Sequence, residues 1–321
     1  MGNKNKNHTA VTAIVFTNIL WAFDFIAIDY MTDFMPASTL TFLRLLISSI
    51  IVLSLVLIKE KKLHIKKRDW PRVFFCGAIG MTLYTWLEGM GIHRTSGALA
   101  SLILAMVPVF GLAVDRLVYK KKMTPIKIMG VIGSIVGVFI VIAGSGEGGF
   151  SASFIGIALM LAAAVAWTAY IVLVKPLNEK YSLPTLLAGI MVSGTITALP
   201  LFLSGDPKAV ASLTPGVWAV VASTSVVCLI VGQLLYVFGV SRLSITNVAV
   251  FENILPIVTV MASMVIFGDT LTVAQIIGSV VIMTTCTAVS LSEEREAKTL
   301  PLRDKETIRH LVEMPDIPRG L

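Results

Sequence analysis

The stretch Gly91-Ile92-His93-Arg94-Thr95-Ser96 returns in altered form 148 residues later in the chain. The shift places Gly91 on Gly239, Arg94 on Arg242 and Ser96 on Ser244. Four further pairs align at the same shift: Pro36 with Pro184, Pro108 with Pro256, Thr124 with Thr272, and Gly130 with Gly278. A shift of 146 brings Trp21 onto Trp167. Self-similarity at one spacing predicts two copies of a single structural unit.

Apolar residues make up 56% of the 321-residue chain, and charged residues only 14%. An average soluble domain carries about 25% charged residues. This composition excludes a disordered chain, a nucleic-acid-binding domain and almost any soluble enzyme. Cys76, Cys228 and Cys286 are scattered over separate apolar stretches, without the spacing of metal ligands. The sequence therefore predicts a multi-pass protein of the cell membrane with no metal and no cofactor.

Ten apolar stretches are long enough to cross a bilayer, which takes about 20 residues of helix. They cover residues 10–28, 37–58, 73–91, 97–118, 125–143, 154–174, 184–203, 217–239, 244–267 and 272–291. The predicted fold class is an all-α integral membrane protein with ten transmembrane helices.

Basic residues in the loops set the orientation, because cytoplasmic loops are enriched in Lys and Arg. With both termini in the cytoplasm, 23 basic residues fall on the inner side and two, Arg94 and Lys208, on the outer side. Five helices in each copy then make the second copy enter the membrane from the opposite side, as in many secondary transporters. The predicted divisions are a cytoplasmic N-terminus, two inverted five-helix repeats and a cytoplasmic polar tail: 1–9, 10–143, 154–291 and 292–321.

Several short motifs carry a family resemblance over residues 10–291. They are Trp21-Ala22-Phe23-Asp24-Phe25, Pro36 followed by Thr41-Phe42-Leu43-Arg44, and Phe267-Gly268-Asp269 before Thr272. Together with the stretch at 91–96, they resemble the EamA-type transporters of the drug/metabolite transporter superfamily. The resemblance implies a bundle around a central cavity lined by helices 1, 3, 4, 6, 8 and 9, and transport of a small metabolite, often efflux.

Among the ionisable residues of the predicted spans, four stand out as candidates: Asp24, Arg44, Glu88 and Glu252. Each costs about 2.5–3.5 kcal/mol to insert, so it persists where it is paired, hydrated or functional. We expect Arg44 to form a structural ion pair with Asp24 or Glu88. Glu88, Glu252 and Asp24 are candidates for binding substrate or protons; the alternative is that neighbouring hydroxyl groups or Arg44 satisfy these carboxyl groups.

Polar and aromatic residues accompany these acids. Tyr84 and Glu88 share one helix face at i, i+4. The further candidate lining residues are Trp167, Tyr170, Gln233, Tyr236 and Asn253. Rings beside acids suit a cation or zwitterion, although Trp near helix ends also serves as an interface anchor. Pro108 and Pro256 interrupt helix hydrogen bonding and are candidate hinges.

These features predict a secondary transporter of a small metabolite, an amino acid or amine-like solute, exported by proton antiport with alternating access. The sequence has no nucleotide-binding motif, which leaves an ion gradient as the energy source. The alternative is an importer of a sugar-like solute or a quaternary amine on the same fold. A membrane enzyme or receptor would need a catalytic cluster at one membrane face or a sizeable extramembrane domain. The expected partners are the solute, the lipid bilayer and protons, without nucleic acid, in a monomer or homodimer.

Overall fold

The computed structural model describes residues 2–117, 120, 123–144, 153–240, 251–252, 254–268 and 270–299. Over this part of the chain the protein is helical, without a strand. Some residues considered above lie outside it: Arg242, Ser244, Asn253, Asp269 and the tail from residue 300.

Two of the described helices are built from consecutive segments around a π-helical turn. In chain order they are α1 (Gly2–Thr32), α2 (Ala37–Glu60), α3 (Trp70–Cys76, Gly77–Leu83 and Tyr84–Ile92), α4 (Gly97–Leu104 and Val107–Leu117), α5 (Pro125–Ala143), α6 (Phe154–Asn178), α7 (Leu183–Ser204), α8 (Pro215–Thr224, Ser225–Gly232 and Gln233–Val240), α9 (Ile254–Ile266) and α10 (Val273–Thr299).

Within the described residues, nine helices are long and apolar enough to cross a membrane, and α9 is a shorter apolar helix. The ninth predicted stretch, 244–267, is described only from residue 251, so ten crossings stay a prediction. Large apolar side chains are exposed on several helices, among them Ile58, Phe139, Phe154 and Val265. Such a surface suits lipid rather than water. The predicted all-helical membrane protein is confirmed at this level.

Residues that recur along the sequence mark the beginnings of helices. Ser96 caps α4, since its Oγ accepts a hydrogen bond from the Leu99 N–H at 3.2 Å. Thr272 does the same before α10, where its Oγ1 accepts from the Gln275 N–H at 3.2 Å. Pro36 directly precedes α2. These side chains satisfy or remove helix donors that have no partner inside the helix, which explains why these residue types stand there.

Helices that correspond in the two halves of the sequence pack against each other: α2 on α7 and α5 on α10. In addition, α1 contacts α8 and α9, and α6 contacts α3 and α4. Glycines allow the close approach of α5 and α10. A Cβ on Gly278 would lie 2.6 Å from the carbonyl oxygen of Gly137, and one on Gly137 would lie 2.9 Å from that of Gly278.

The two π-helical turns, Gly77–Leu83 in α3 and Ser225–Gly232 in α8, begin 148 residues apart. Sequence patterns did not predict them. In α4 a turn at residues 105–106 separates two segments, and Pro108 is the second residue after it. This position suits proline, whose missing N–H has no partner in a first helical turn. Pro256 lies in the first turn of α9 as described.

A buried ion pair joins α1 to α2. Arg44 Nη2 lies 2.6 and 2.7 Å from the two carboxylate oxygens of Asp24. Both residues are buried, with 3% of Arg44 and 8% of Asp24 exposed. Each charge therefore compensates the other where water is excluded, and Asp24 is held beside the bundle centre.

Substitution at the glycine contact should destabilise the bundle. Gly278→Ala places a methyl group against the backbone of α5, so we expect a loss of about 1–3 kcal/mol in the free energy of unfolding. Gly111→Ala is the matched control, because a Cβ there meets nothing within 4 Å. Thermal unfolding in detergent compares the two; equal melting temperatures would contradict the close α5–α10 packing.

Removing one partner of the ion pair should destabilise the protein more than removing both partners. Asp24→Asn leaves a buried guanidinium without its counter-charge, which costs about 3–5 kcal/mol. The double variant Asp24→Leu with Arg44→Met should recover most of that loss, because apolar residues of similar size replace buried ion pairs at little cost. Denaturation of the single and double variants in detergent measures the difference. A double variant less stable than Asp24→Asn would show that the pair has another role.

Candidate functional site

A cavity of about 200 Å³ lies at the centre of the bundle. It is bordered by α1, α3, α4, α6 and α8 and by Glu252, Leu255 and Pro256 at or just before the start of α9, with additions from α7 and α10. Most of the predicted site residues line it: Asp24, Tyr84, Glu88, Trp167, Gln233, Tyr236 and Glu252, together with Pro108 and Pro256. Two others do not line the cavity but contact residues that do: Arg44 contacts Asp24, and Tyr170 contacts Trp167. Asn253 lies outside the described residues.

Glu88 is held by a tyrosine of its own helix. The Tyr84 hydroxyl donates a hydrogen bond to Oε1 of Glu88 one turn later on α3. Only 4% of Glu88 is exposed, and both side chains line the cavity. The i, i+4 spacing thus gives a carboxyl group fixed by a neutral donor at the cavity wall.

Glu252 is held in the same way by a tyrosine of another helix. The Tyr236 hydroxyl of α8 donates to Oε1 of Glu252 over 2.8 Å. Both residues line the cavity and are partly buried. The cavity therefore has two carboxyl–tyrosine pairs, one within α3 and one between α8 and the start of α9.

A chain of four aromatic rings connects these pairs. Tyr84 contacts Trp167 with ring centroids 4.8 Å apart, and Trp167 meets Trp21 edge to face at 6.3 Å and 88°. Trp21 then contacts Tyr236 at 5.1 Å. Trp21 is fixed by a hydrogen bond from its Nε1 to the Cys228 carbonyl at 3.2 Å. The cavity thus has an aromatic wall that runs from one carboxyl group to the other.

Two further contacts, one aromatic and one polar, support this wall. Tyr170 packs on Trp167 with ring centroids 5.0 Å apart. Gln233 donates from Nε2 to the Tyr170 hydroxyl at 3.5 Å. Through Trp21, one connected group of side chains therefore contains Tyr84, Glu88, Trp167, Tyr170, Gln233, Tyr236 and Glu252. Asp24 and Arg44 form a separate pair.

Several lining residues were not named from the sequence. They are small and polar: Asn18 on α1, Thr85 on α3, Ser101 on α4, and Thr287 and Ser290 on α10. Asn18 could have been found, because it precedes Trp21 by one helical turn on the same face. The residues of α10 could not, because neither charge nor aromatic spacing singles them out.

The cavity has the chemistry of a binding site for a small cation. Carboxylates and the faces of Trp and Tyr both attract positive charge. Over the described residues, no group of three His, Cys, Asp or Glu side chains could hold a metal ion.

Two consecutive parts of the chain, residues 8–143 and 154–291, match the model of the EamA-like transporter family. The chain is 26% identical to an uncharacterized transporter of Archaeoglobus fulgidus, over 83% of this chain and 93% of that protein. It is 28% identical to a probable terminal-alkyne amino-acid exporter of Streptantibioticus cattleyicolor, over 82% of this chain and 87% of that one. A probable amino-acid metabolite efflux pump of Salmonella typhimurium is 25% identical, over 83% and 89% of the two chains.

A solved crystal structure with 18% sequence identity has the same fold, with a TM-score of 0.62 over 89% of this chain and 97% of that chain. The family match extends over most of the sequence and confirms the resemblance carried by the motifs. The chain belongs to the EamA-like transporter family and is a multi-pass membrane protein.

Proposed function

We propose that the protein is a secondary transporter that exports a small amino acid or amine-like solute in exchange for protons. The observation that carries this proposal is the cavity with two carboxyl–tyrosine pairs, Glu88 with Tyr84 and Glu252 with Tyr236, joined by an aromatic wall. Two relatives bear the names of a probable amino-acid exporter and a probable amino-acid metabolite efflux pump, which supports the direction and the solute class.

Glu88 and Glu252 are the proposed binding groups for the positive charge. Neither forms an ion pair with another described residue, and each accepts its hydrogen bond from a neutral hydroxyl. Asp24 differs, because both of its oxygens contact Arg44. We therefore assign the carboxylates of Glu88 and Glu252 to solute or proton binding, and Asp24 to positioning α1.

Proton exchange follows from the cost of charge in the membrane. A carboxylate without a counter-ion is expensive to hold in a low-dielectric site. A cationic solute can supply the missing charge, and after its release a proton can neutralise the carboxyl group. Because both compensate the same group, solute and proton occupy the site in turn, which is the requirement for antiport.

Two similar halves in opposite orientation can produce alternating access by exchanging their conformations, and we propose the units 10–143 and 154–291 for this role. The shift of 148 residues supports this proposal, as does the separate match of each half to the family model. The pairing of α2 with α7 and of α5 with α10 supports it too, because these helices correspond in the two units. The 148-residue spacing of the π-helical turns is a further support. Pro108 and Pro256 are the proposed hinges.

The proposed topology has ten crossings with both termini in the cytoplasm. Its support is the distribution of the basic residues, 23 on the inner side and two on the outer side.

Neutralising either carboxylate should impair transport of an amine. Glu88→Gln and Glu252→Gln keep the side-chain size but lose the charge, and a hydrogen bond to a charged group is worth about 1.5–3 kcal/mol. We expect solute movement driven by a pH gradient in proteoliposomes to fall by about tenfold or more in each variant, since about 1.4 kcal/mol corresponds to a factor of ten. The pH dependence should flatten as well. Glu179→Gln, at the exposed C-terminal end of α6, is the control and should transport normally.

Unchanged transport and unchanged pH dependence in both cavity variants would contradict the assignment of the site. Counterflow with candidate solutes, measured from each side of oriented vesicles, decides the direction. Accumulation of solute together with protons would favour the importer.

A further inference from the structure

The small polar side chains of the cavity wall use their hydrogen-bond donors within the protein. Ser101 Oγ donates to the Ala98 carbonyl at 2.7 Å, and Ser290 Oγ donates to the Cys286 carbonyl at 3.1 Å. Each hydroxyl group has one proton to donate and two lone pairs to accept with. Once the proton is directed to a carbonyl of the same helix, the oxygen can offer only lone pairs to a bound solute.

Three of the larger donors of the wall are occupied in the same way. The hydroxyl groups of Tyr84 and Tyr236 donate to carboxyl oxygens, and the indole N–H of Trp21 donates to a backbone carbonyl. No Lys, Arg or His is among the described residues that line the cavity. Arg44, behind the wall, is already paired with Asp24. Over the described residues, the wall therefore presents mainly acceptors, and its remaining donors are the indole N–H of Trp167 and one amide N–H each of Asn18 and Gln233.

Asn18 carries an acceptor that has no hydrogen-bond partner among the described residues. Its Nδ2 donates to the Ile14 carbonyl at 2.9 Å, which fixes the orientation of the amide, because a carbonyl can only accept. The amide oxygen is buried and accepts no hydrogen bond from the part of the chain that the structure describes; the residue is 1% exposed and lines the cavity. A buried polar atom without a partner is unfavourable, so a solute that donates an N–H to it gains affinity.

We infer that the preferred solute is a primary ammonium ion without a carboxylate, recognised through several N–H groups. This inference rests on the proposed transport function and narrows its solute class. A primary ammonium has three donors for the carboxyl oxygens of Glu88 or Glu252 and for the oxygens of Asn18, Ser101 and Ser290. A quaternary ammonium has the charge but no donor. A free amino acid brings a carboxylate, for which the described lining residues offer no basic partner.

Three probes that share a phenethylamine core test the inference: phenethylamine, its N,N,N-trimethyl derivative, and phenylalanine. Equilibrium binding to the purified protein is the readout. We expect phenethylamine to bind about tenfold more tightly than either of the others, because a charge-assisted hydrogen bond is worth about 1.5–3 kcal/mol. Equal or tighter binding of the trimethyl derivative or of phenylalanine would overturn the inference, as would the absence of binding by all three.

Variants test whether the acceptors carry the preference. Ser290→Ala should lower the affinity for phenethylamine about threefold, the effect of losing one ordinary hydrogen bond. The trimethyl derivative should bind as before, which also reports that the protein is folded. Ser193→Ala is the matched control: Ser193 is also buried and donates to a carbonyl one turn back at 2.8 Å, but it does not line the cavity. An equal loss in both serine variants would overturn the inference.

Asn18→Leu provides a second variant of similar size and should reduce the preference for phenethylamine over its trimethyl derivative. An unchanged preference in both cavity variants would overturn the inference. That outcome would leave proton-driven transport of the proposed function standing, since transport is measured separately in proteoliposomes. If the unsubstituted protein prefers phenethylamine as expected but shows no proton-driven transport in proteoliposomes, the proposed function alone is refuted.

Discussion

A polar group inside a bilayer must find its partner within the protein, because hydrocarbon offers no hydrogen bonds. The structure meets this constraint at almost every buried polar side chain near the cavity. Arg44 and Asp24 neutralise each other. Hydroxyl groups such as those of Ser101 and Ser290 donate hydrogen bonds to carbonyls of their own helix. Among the described residues, three groups at the cavity are left with few or no partners: the carboxyl groups of Glu88 and Glu252, each held by a tyrosine, and the amide oxygen of Asn18. Their placement makes the cavity a site that a cation or a proton completes.

The aromatic wall gives the two carboxyl groups a common surface. Trp21 and Trp167 correspond in the two halves of the sequence and meet edge to face near the centre of the bundle. Each then contacts a tyrosine that holds a carboxyl group, Tyr236 for Trp21 and Tyr84 for Trp167. Movement of one half against the other would change the contact between the tryptophans. The aromatic wall thus connects the two carboxyl groups to the two halves of the protein that are proposed to move.

Much of this arrangement could be predicted from the sequence, because it depends on short-range patterns. Runs of about 20 apolar residues predict the spans, and the i, i+4 spacing of Tyr84 and Glu88 predicts their shared face. The pairing of Tyr236 with Glu252 could not be predicted, because it joins two helices whose relative rotation depends on packing. The partner of Arg44 was narrowed to Asp24 or Glu88, and only the geometry of α1 and α2 decided between them. The π-helical turns in α3 and α8 have no residue signature comparable to a proline kink.

The central claim is that solute binds between the two carboxyl–tyrosine pairs, against the tryptophan wall. A density map of the protein with a bound primary amine tests it most directly. The account predicts density for the amine within the cavity, with its nitrogen within hydrogen-bond distance of Glu88 or Glu252 and its carbon skeleton on Trp21 or Trp167. Density for the amine outside this cavity, with the two carboxyl groups uncontacted, would contradict it.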